Sequence, residues 1–446
     1  MVDPDDLARE FERVFGRSPG LYHAPGRVNL IGEHTDYNDG FVMPMAIDRS
    51  TWVAAAPRDD ERIVVRSREY GETIRIDGEA QATQTPQHHH WSDYIRGVGA
   101  VLAGLNRRRQ GYGGPPKRSA KAEGPRYDNL FSDADRADVA RPFQGRGADM
   151  LIASDVPIGA GLSSSAALEV AVGYGLLDLV NHPIHLTELA LACQRAEHEY
   201  AGTRCGIMDQ MIGCHGREGH AMMLDTRSLE RRWLPLPATV RVLVCNTIVK
   251  HEHASGEYNA RRADCEAGVA VLARQYPEVR ALRDATIARL DGVRTQMSDR
   301  VYRRCRHVIA ENARVEQAAR ALVSSDFETF GRLMGASHDS LRDDYEVSCA
   351  ELDAMVTIAS DLDGVYGARM TGGGFGGCAI ALADASAADR VQRDIARRYE
   401  QVTRVRPEIW ICSAGAGVGR WLHAEALRRA EPLHRGGRGG HGGQIL

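Results

Sequence analysis

A strand, a glycine-rich turn and a helix follow one another over residues 150–169, and this succession constrains the fold more than any other feature. Residues 150–154 are typical of a strand, Gly159 and Gly161 lie in the turn that follows, and a helical pattern begins near Ser163. The N–H groups of such a turn and of a helix N-terminus bind phosphate groups. No lysine follows the glycines, so this is not a Walker A loop, and the helix dipole and a metal ion would neutralise the charge. An ordinary serine N-cap is the alternative.

Strand and helix patterns continue on both sides of this turn. An Asp-Pro pair at residue 3 predicts a helix start, because proline favours the first helical position. Short apolar runs separated by turn residues predict strands, and periodic apolar residues predict helices. The predicted elements are helices over 4–15, 91–105 and 386–399, strands within 42–77 and over 150–154, 221–225, 240–245 and 378–383, and a mostly helical region over about 256–359. This alternation predicts an α+β protein.

Two segments depart from these patterns. Residues 106–147 are rich in glycine and proline and carry ten basic residues against five acidic ones. Such a composition buries too little apolar surface to fold alone, which predicts a disordered basic insertion. The glycine-rich residues 426–446 predict a flexible tail. The full length of 446 residues, against a usual domain of ~150, allows two or three domains.

Charge and cysteine content exclude several classes of protein. Sixty acidic residues against 56 basic ones give a net charge of −4, so no overall positive field would recruit nucleic acid or an anionic membrane. The acidic residues 1–6 lack an apolar region, which predicts no signal peptide, and no run of 18 apolar residues predicts a membrane span. The nine cysteines are scattered without a zinc-binding spacing. They predict small core residues in a reducing cytoplasm.

A polar loop, Gly26–Gly40, is a second candidate site. Its glycines and short polar residues predict turns rather than a helix. Carboxylates and a histidine on one loop can accept hydrogen bonds from sugar hydroxyls. Composition alone favours a plain solvated loop. The polar residues in it are Arg27, Asn29, Glu33, His34, Asp36 and Asn38.

Two further groups of residues each allow two interpretations. Asp209 lies among apolar residues, where carboxylates acquire shifted pKa values, but a helix-capping aspartate explains it equally well. Tyr258, Arg261 and Arg262 share one side of a predicted helix. A solvated helix face is the plainer interpretation of that trio.

Residues 368–377 contain five glycines, three of them at the spacing of a dinucleotide-binding loop. In dinucleotide-binding proteins that loop follows a strand and opens a helix, whereas this one leads into a strand. We therefore reject a nicotinamide cofactor. Glycines without side chains still allow the backbone to approach another backbone or a ligand closely.

Taken together, these motifs resemble the galactokinase family of the GHMP small-molecule kinases. Gly26–Gly40 is similar to the family's galactose signature, residues 157–167 to its ATP loop, and residues 368–377 to its third motif. The resemblance covers residues 10–105 and 148–425. Several multi-residue motifs in the family's order make it specific.

The resemblance implies a two-lobed fold. An N-terminal lobe with a left-handed βαβ unit would bind sugar and ATP, and the right-handed crossover rule would not have predicted that unit. A ferredoxin-like C-terminal lobe would follow. The implied bounds are 1–225 for the first lobe, with the insertion inside it, 226–425 for the second, and 426–446 for the tail.

The resemblance also implies an activity: ATP-dependent phosphorylation of galactose at the C1 hydroxyl, the first committed step of the Leloir pathway, with Mg²⁺ as cofactor. Asp209, facing that hydroxyl, and Arg27, its cationic neighbour, are the implied catalytic residues. The implied galactose-binding residues are Glu33, His34, Asp36, Gly206, Asp209 and Tyr258. Those implied for ATP are Gly159, Gly161, Ser163 and Ser164. The implied ligands of the metal ion are Ser163 and Glu197. Because arginine cannot lose its proton, the role of base falls to Asp209.

Two alternatives stay open at this point. The chain could be a kinase for a related sugar, N-acetylgalactosamine or arabinose, or a non-catalytic galactose and ATP sensor. The intact serine-rich loop at 163–167 favours the enzyme over the sensor. The expected partners are galactose and ATP, without nucleic acid or membrane, and we expect a monomer, with a dimer left open.

Overall fold

The computed structural model describes residues 1–77, 90–104, 147–250 and 254–422. The predicted insertion, apart from Gly147, and the predicted tail lie outside these residues. The helices are α1 (Pro4–Phe15), α2 (Trp91–Gly104), α3 (Ser164–Leu179), α4 (Leu186–Ala196), α5 (Met208–His215), α6 (Ala254–Gln275), α7 (Ile287–Gly292), α8 (Asp299–Val323), α9 (Phe327–Ser340), α10 (Ala350–Ser360) and α11 (Ala388–Thr403). The strands are β1 (Gly20–Asn29), β2 (Phe41–Val42), β3 (Pro44–Pro57), β4 (Arg62–Ser67), β5 (Thr73–Asp77), β6 (Ala148–Ser154), β7 (His220–Asp225), β8 (Arg231–Pro235), β9 (Val240–Lys250), β10 (Val365–Met370), β11 (Gly376–Asp384), β12 (Glu408–Cys412) and β13 (Gly419–Trp421).

The first helix forms as its sequence predicts. The Asp3 side chain accepts hydrogen bonds from two backbone N–H groups of the first turn, Pro4 is the first helical residue, and Gly16 ends the helix with φ 69°. Leu7 and Phe11 are fully buried against the sheet formed by β1, β3 and β6. Capping and an apolar face together therefore fix α1 on the N-terminal sheet.

The N-terminal lobe is built on a six-stranded sheet in the order β13-β1-β3-β6-β4-β5. β4 and β6 pair in parallel and are connected through β5 and α2, whereas β1, β3 and β6 pair antiparallel. Helices α2 to α5 contribute to one apolar core with this sheet. Since β6 lies in the middle of the sheet, the turn that follows it is held on a rigid support.

The C-terminal lobe has a four-stranded antiparallel sheet in the order β10-β11-β9-β12. Numbered along the chain, these strands have the spatial order 2-3-1-4, with helices after the first and third of them. This is the ferredoxin-like arrangement, and that prediction is confirmed. The predicted helical region between the first two strands consists of five helices, α6 to α10, separated by turns.

Strand pairing and a shared apolar core connect the two lobes. β13 returns from the C-terminal segment and pairs with β1, and the β7–β8 hairpin pairs with β2. That hairpin lies across the predicted division at residue 225, which stays a prediction. One apolar cluster combines Val28 and Leu30 of the N-terminal lobe with Val315 and Phe330 of the C-terminal lobe. This shared core fixes the loop after β1 against α8 and α9.

All nine cysteines are unpaired, and seven of them are buried. The prediction that they are small core residues is confirmed for those seven. Among the helices of the described segments, none is both long enough and apolar enough to cross a bilayer.

Candidate active site

The turn between β6 and α3 adopts the conformation that its glycines allow. Gly159 and Gly161 have φ values of 69° and 78°, and Ser163 has 59°, which is the left-handed region. Ser163 precedes the first residue of α3, but its side chain makes no capping hydrogen bond. Its hydroxyl instead donates to the carboxylate of Asp209. The interpretation of Ser163 as an ordinary N-cap is therefore wrong, and no side chain at this position competes for the N–H groups of the first turn.

The glycines of residues 368–377 pack directly on this turn. A Cβ atom on Gly372 would lie 2.8 Å from the carbonyl oxygen of Gly161, and one on Gly377 would lie 2.9 Å from that of Ala160. Both glycines also have φ values above 80°. The expectation of a close approach between two backbones is confirmed, and the third motif supports the turn from behind.

Asp209 and Arg27 form a bidentate ion pair at the edge of this turn. The Nε and Nη2 atoms of Arg27 donate to Oδ1 and Oδ2 of Asp209 over 2.9 and 2.8 Å, and Nη1 donates to the carbonyl of Gly161. Asp209 lies in the first turn of α5 and caps nothing, so the capping interpretation is wrong. The Asp209 side chain keeps 23% of its surface exposed, against 7% for Arg27. The carboxylate is therefore the more accessible member of the pair.

A change of register in β1 directs Arg27 towards this pair. The pairing of β1 with β3 shifts between Pro25 and Arg27, and the N–H of Arg27 donates to the carbonyl of Leu162 over 3.0 Å. Such a bulge re-aims a side chain relative to the regular strand. Gly26 lies at the bulge because a Cβ there would lie 2.9 Å from the same carbonyl.

Glu33 is buried and holds the loop after β1 to the third motif. Its Oε1 accepts from the N–H of Gly372 over 2.5 Å and from the hydroxyl of Thr371 over 3.3 Å. Its Oε2 accepts from Arg369 over 3.1 Å and from Asn29. Burial raises the pKa of Glu33, and the positive charge of Arg369 opposes that rise. A carboxylate accepts about four hydrogen bonds, and these four donors supply that number, so Glu33 holds the loop in place.

Arg369 and Glu311 anchor the same loop in the C-terminal lobe. Both side chains are fully buried. Arg369 donates to the carbonyl of Asn29 over 3.0 Å, and Glu311 accepts from the N–H of Gly32 over 2.9 Å. Neither residue was predicted from the sequence. A single charge in the apolar strand at 365–370 was the available signal, since a buried charge needs a partner.

His34 presents a neutral imidazole. Its Nδ1 lies 2.7 Å from the hydroxyl of Tyr37, and its Nε2 is buried without a hydrogen-bond partner among the described residues. Burial, and then the nearby His307, lower the pKa of His34 to about 3. The backbone of His34 has φ 63°, in the left-handed region. The backbone of Gly373 interacts with the ring and opposes this lowering of its pKa. No described protein group makes a well-formed hydrogen bond to Nε2, and such a buried nitrogen suits a ligand hydroxyl.

Asp36 faces the backbone of Gly206. A Cβ atom on Gly206 would lie 1.8 Å from Oδ2 of Asp36, so only glycine leaves room for that carboxylate. Burial and then the charges of Asp209 and Glu33 raise the pKa of Asp36 to about 7, against the opposing charge of Arg27. Because Glu33 is 2% exposed and His34 5%, the interpretation of Gly26–Gly40 as a plain solvated loop is wrong.

If Asp36 is the galactose ligand that the resemblance implies, its raised pKa predicts that galactose affinity depends on pH. Only the ionised carboxylate accepts charge-assisted hydrogen bonds, so affinity should fall as the pH drops through about 7. Calorimetric titration of galactose from pH 5.5 to 8.5, without nucleotide or metal ion, measures this directly. In Asp36→Asn we expect weaker binding that no longer changes over this range. A flat profile in the unmodified protein, together with unchanged galactose affinity in Asp36→Asn, would remove Asp36 from the site.

Tyr258 completes an aromatic wall around His34. Its ring centroid lies 5.6 Å from that of His34 and 5.2 Å from that of Tyr37. Arg261 and Arg262, on the same helix, are 9% and 8% exposed, so the interpretation of this trio as a solvated face is wrong. The guanidinium of each of these arginines donates to backbone carbonyls of neighbouring segments. The C-terminal lobe thus covers this side of the loop.

Glu197 is a buried carboxylate without a basic partner among its described hydrogen bonds. It accepts from the amide of Gln210 over 2.8 Å, and from Ser165 and Cys205 over 3.4 Å each. Burial, followed by the charge of Asp209, raises the pKa of Glu197 to about 7. A divalent cation would supply the missing positive charge, and carboxylate and hydroxyl oxygens are the ligands that Mg²⁺ prefers. Of the two predicted metal ligands, Glu197 contacts Ser165, whereas Ser163 contacts Asp209.

The chain around Glu197 departs from regular helix. Residues Glu197–Ala201 continue α4 as a π-helical turn that ends at Gly202 with φ 78°. Such turns occur frequently at functional sites. A second carboxylate, Glu169 of α3, is fully buried nearby and accepts from Gln210 over 3.2 Å. Glu169 was not predicted from the sequence, although it is the one acidic residue in the apolar run at 166–172.

The family assignment comes from comparison with known proteins. Residues 9–57 match the galactokinase galactose-binding signature, residues 130–217 the GHMP kinase N-terminal domain, and residues 318–401 the GHMP kinase C-terminal domain. The chain is 43% identical over 423 residues to a galactokinase of Roseiflexus sp. (strain RS-1), covering 94% of this chain and 98% of that protein. It is 44% identical over 421 residues to a galactokinase of Chloroflexus aggregans, with the same coverage.

Solved structures agree with this assignment. The galactokinase of Lactococcus lactis, complexed with galactose, has a TM-score of 0.80 at 30% identity and covers 94% of this chain and 99% of its own. A mevalonate kinase, at 16% identity and a TM-score of 0.59, shares the fold and covers 88% of this chain and 98% of its own. The predicted two-lobed GHMP kinase fold is confirmed, and the chain belongs to the galactokinase family.

Proposed function

We propose that the chain transfers the γ-phosphoryl group of ATP to the C1 hydroxyl of galactose, giving galactose 1-phosphate and ADP. The observation that carries this proposal is the Asp209–Arg27 pair, which lies where the glycine turn meets the loop of the galactose signature. The curated relatives named above are galactokinases over nearly their whole length. The structural relative from Lactococcus lactis holds galactose.

Asp209 would accept the proton of the C1 hydroxyl, or orient that hydroxyl for attack. Phosphoryl transfer depends mainly on positioning and charge neutralisation, so one carboxylate at the nucleophile is enough. Arg27 keeps the carboxylate oriented through both of its oxygens. It would also offset the negative charge that develops on the transferred group.

The loop after β1 would bind the sugar. His34 offers an unpartnered ring nitrogen, Asp36 a carboxylate beside Gly206, and Tyr258 an aromatic face. Glu33, which the resemblance also implies as a sugar ligand, would hold the loop to the third motif. A few polar groups fixed in a largely buried pocket are what confers specificity for a small polar ligand.

The turn at Gly159, Gly161, Ser163 and Ser164 would hold the phosphates through its N–H groups and the first turn of α3. A kinase that uses ATP requires a divalent metal ion, and we propose Mg²⁺, held by Glu197 and a serine hydroxyl of this turn. When bound, the ion would neutralise phosphate charge. The described hydrogen-bond donors to Glu197 are all neutral, so this carboxylate lacks a positive partner that a bound metal ion would supply.

In the cell, this reaction would commit galactose to the Leloir pathway. Galactose and ATP would be the partners of the chain, without nucleic acid or membrane, and we propose a monomer. Nine unpaired cysteines support a reducing compartment, and we propose the cytoplasm.

A panel of sugars tests the substrate. Purified protein with MgATP is assayed for ADP formation with galactose, N-acetylgalactosamine, arabinose and glucose. We expect galactose to give the highest kcat/KM. A higher value for N-acetylgalactosamine or arabinose would assign the chain to that sugar, and galactose binding without ADP formation would identify a sensor.

A further inference from the structure

Gln210 lies between two buried carboxylates. It follows Asp209 directly on α5 and is fully buried. Its amide nitrogen donates to Oε2 of Glu197 over 2.8 Å and to Oε2 of Glu169 over 3.2 Å. A single amide group therefore bridges a carboxylate of α3 and one at the π-helical turn after α4.

The amide supplies the shortest hydrogen bond in this cluster. The other donors to Glu197, the hydroxyl of Ser165 and the thiol of Cys205, are 3.4 Å away. The second oxygen of Glu169 has no partner among the described residues. Burying a carboxylate costs free energy unless hydrogen-bond donors compensate for the lost water. Removal of the amide would therefore leave both Glu197 and Glu169 with too few hydrogen bonds. The orientation of Glu197 thus depends on Gln210 more than on its other contacts.

We propose that Gln210 is a positioning residue for the metal–nucleotide complex: its amide fixes the Glu197 carboxylate towards the serines that open α3. The inference rests on the proposed role of Glu197 as a metal ligand. Residues around metal ligands commonly orient them in this way. The described hydrogen bonds of the Gln210 side chain go to Glu197, Glu169 and Cys205 and to none of His34, Asp36 and Tyr258. Gln210 therefore acts on metal–nucleotide affinity and leaves galactose affinity unchanged.

The test compares two glutamines. Gln210→Met keeps the length of the side chain and removes the donor. Gln194→Met is the matched control, because Gln194 is also buried but donates to the backbone carbonyl of Cys205. Calorimetry measures the affinity of the folded full-length protein for a non-hydrolysable ATP analogue, with Mg²⁺ and with EDTA, and its affinity for galactose. In Gln210→Met we expect a loss of about 10–100-fold in the Mg²⁺-dependent part of nucleotide affinity. Galactose affinity should stay unchanged in both variants.

Other outcomes test the role of Gln210 and the role of Glu197 separately. Equal losses of nucleotide and galactose affinity in Gln210→Met, or no loss of either, would overturn the positioning role. If Glu197→Gln leaves the Mg²⁺ effect intact, the proposed metal role of Glu197 is wrong. Should Gln210→Met fail to fold, Gln210→Asn keeps the amide but withdraws it by one methylene. The same selective loss is expected in that variant, and its absence would contradict the proposal.

Discussion

Asp209→Asn should lower kcat by roughly 10²–10⁴-fold, the usual contribution of general acid–base catalysis. The amide keeps the shape of the carboxylate, but it cannot take up the proton of the sugar hydroxyl. Its single oxygen can still accept from one nitrogen of Arg27, but its NH2 group cannot accept from the other, so the two-bond pairing with Arg27 is lost. Galactose should still bind, because the other sugar contacts remain. Initial rates with saturating MgATP and calorimetric galactose binding give the two quantities.

A near-normal kcat in Asp209→Asn would assign Asp209 to structure. The melting temperature distinguishes this case from collapse of the site. A large drop in melting temperature together with lost galactose binding would mean that the ion pair mainly holds the two loops together.

Arg27→Lys should lower kcat by about 10–100-fold, although the charge is kept. Lysine offers a point charge on a flexible stem in place of a planar fork. Arg27 uses that fork on both oxygens of Asp209 and a further nitrogen on Gly161. A hydrogen bond to a charged group contributes about 1.5–3 kcal/mol, which corresponds to this range of rates.

Arg58→Lys is the matched control for this substitution. Arg58 lies outside the candidate site. It donates hydrogen bonds to both carboxylate oxygens of Asp60 over 2.7 and 2.8 Å, and a further one to Asp149. The same chemical change there should affect stability and leave kcat unaltered. If Arg27→Lys and Arg58→Lys behave alike, Arg27 has no special part in the reaction.

The sequence predicted those parts of the site that lie close together along the chain. The glycines and serines of the phosphate turn, and the polar residues of Gly26–Gly40, are local patterns whose chemistry can be interpreted without a fold. Ser163 was harder to assign, because a serine before a helix usually caps it. Its bond to Asp209, 46 residues away, is a tertiary contact that spacing does not reveal.

The supports of the site were not predictable from local pattern. Arg369 reaches Glu33 across 336 residues, and Glu311 reaches Gly32 across 279. Only the packing of the C-terminal lobe on the loop brings these groups together. The same packing explains why solvated interpretations of the loop and of Arg261 were wrong: composition does not show which surface another lobe covers.

The most direct test of the proposed activity is the identity of the phosphorylated product. Protein, galactose, ATP and Mg²⁺ are incubated together, and ³¹P NMR follows the phosphorus signals. The account predicts one sugar phosphate whose phosphorus couples to the anomeric proton, formed in step with ADP. Coupling to the C6 methylene protons, or release of inorganic phosphate alone, would contradict it.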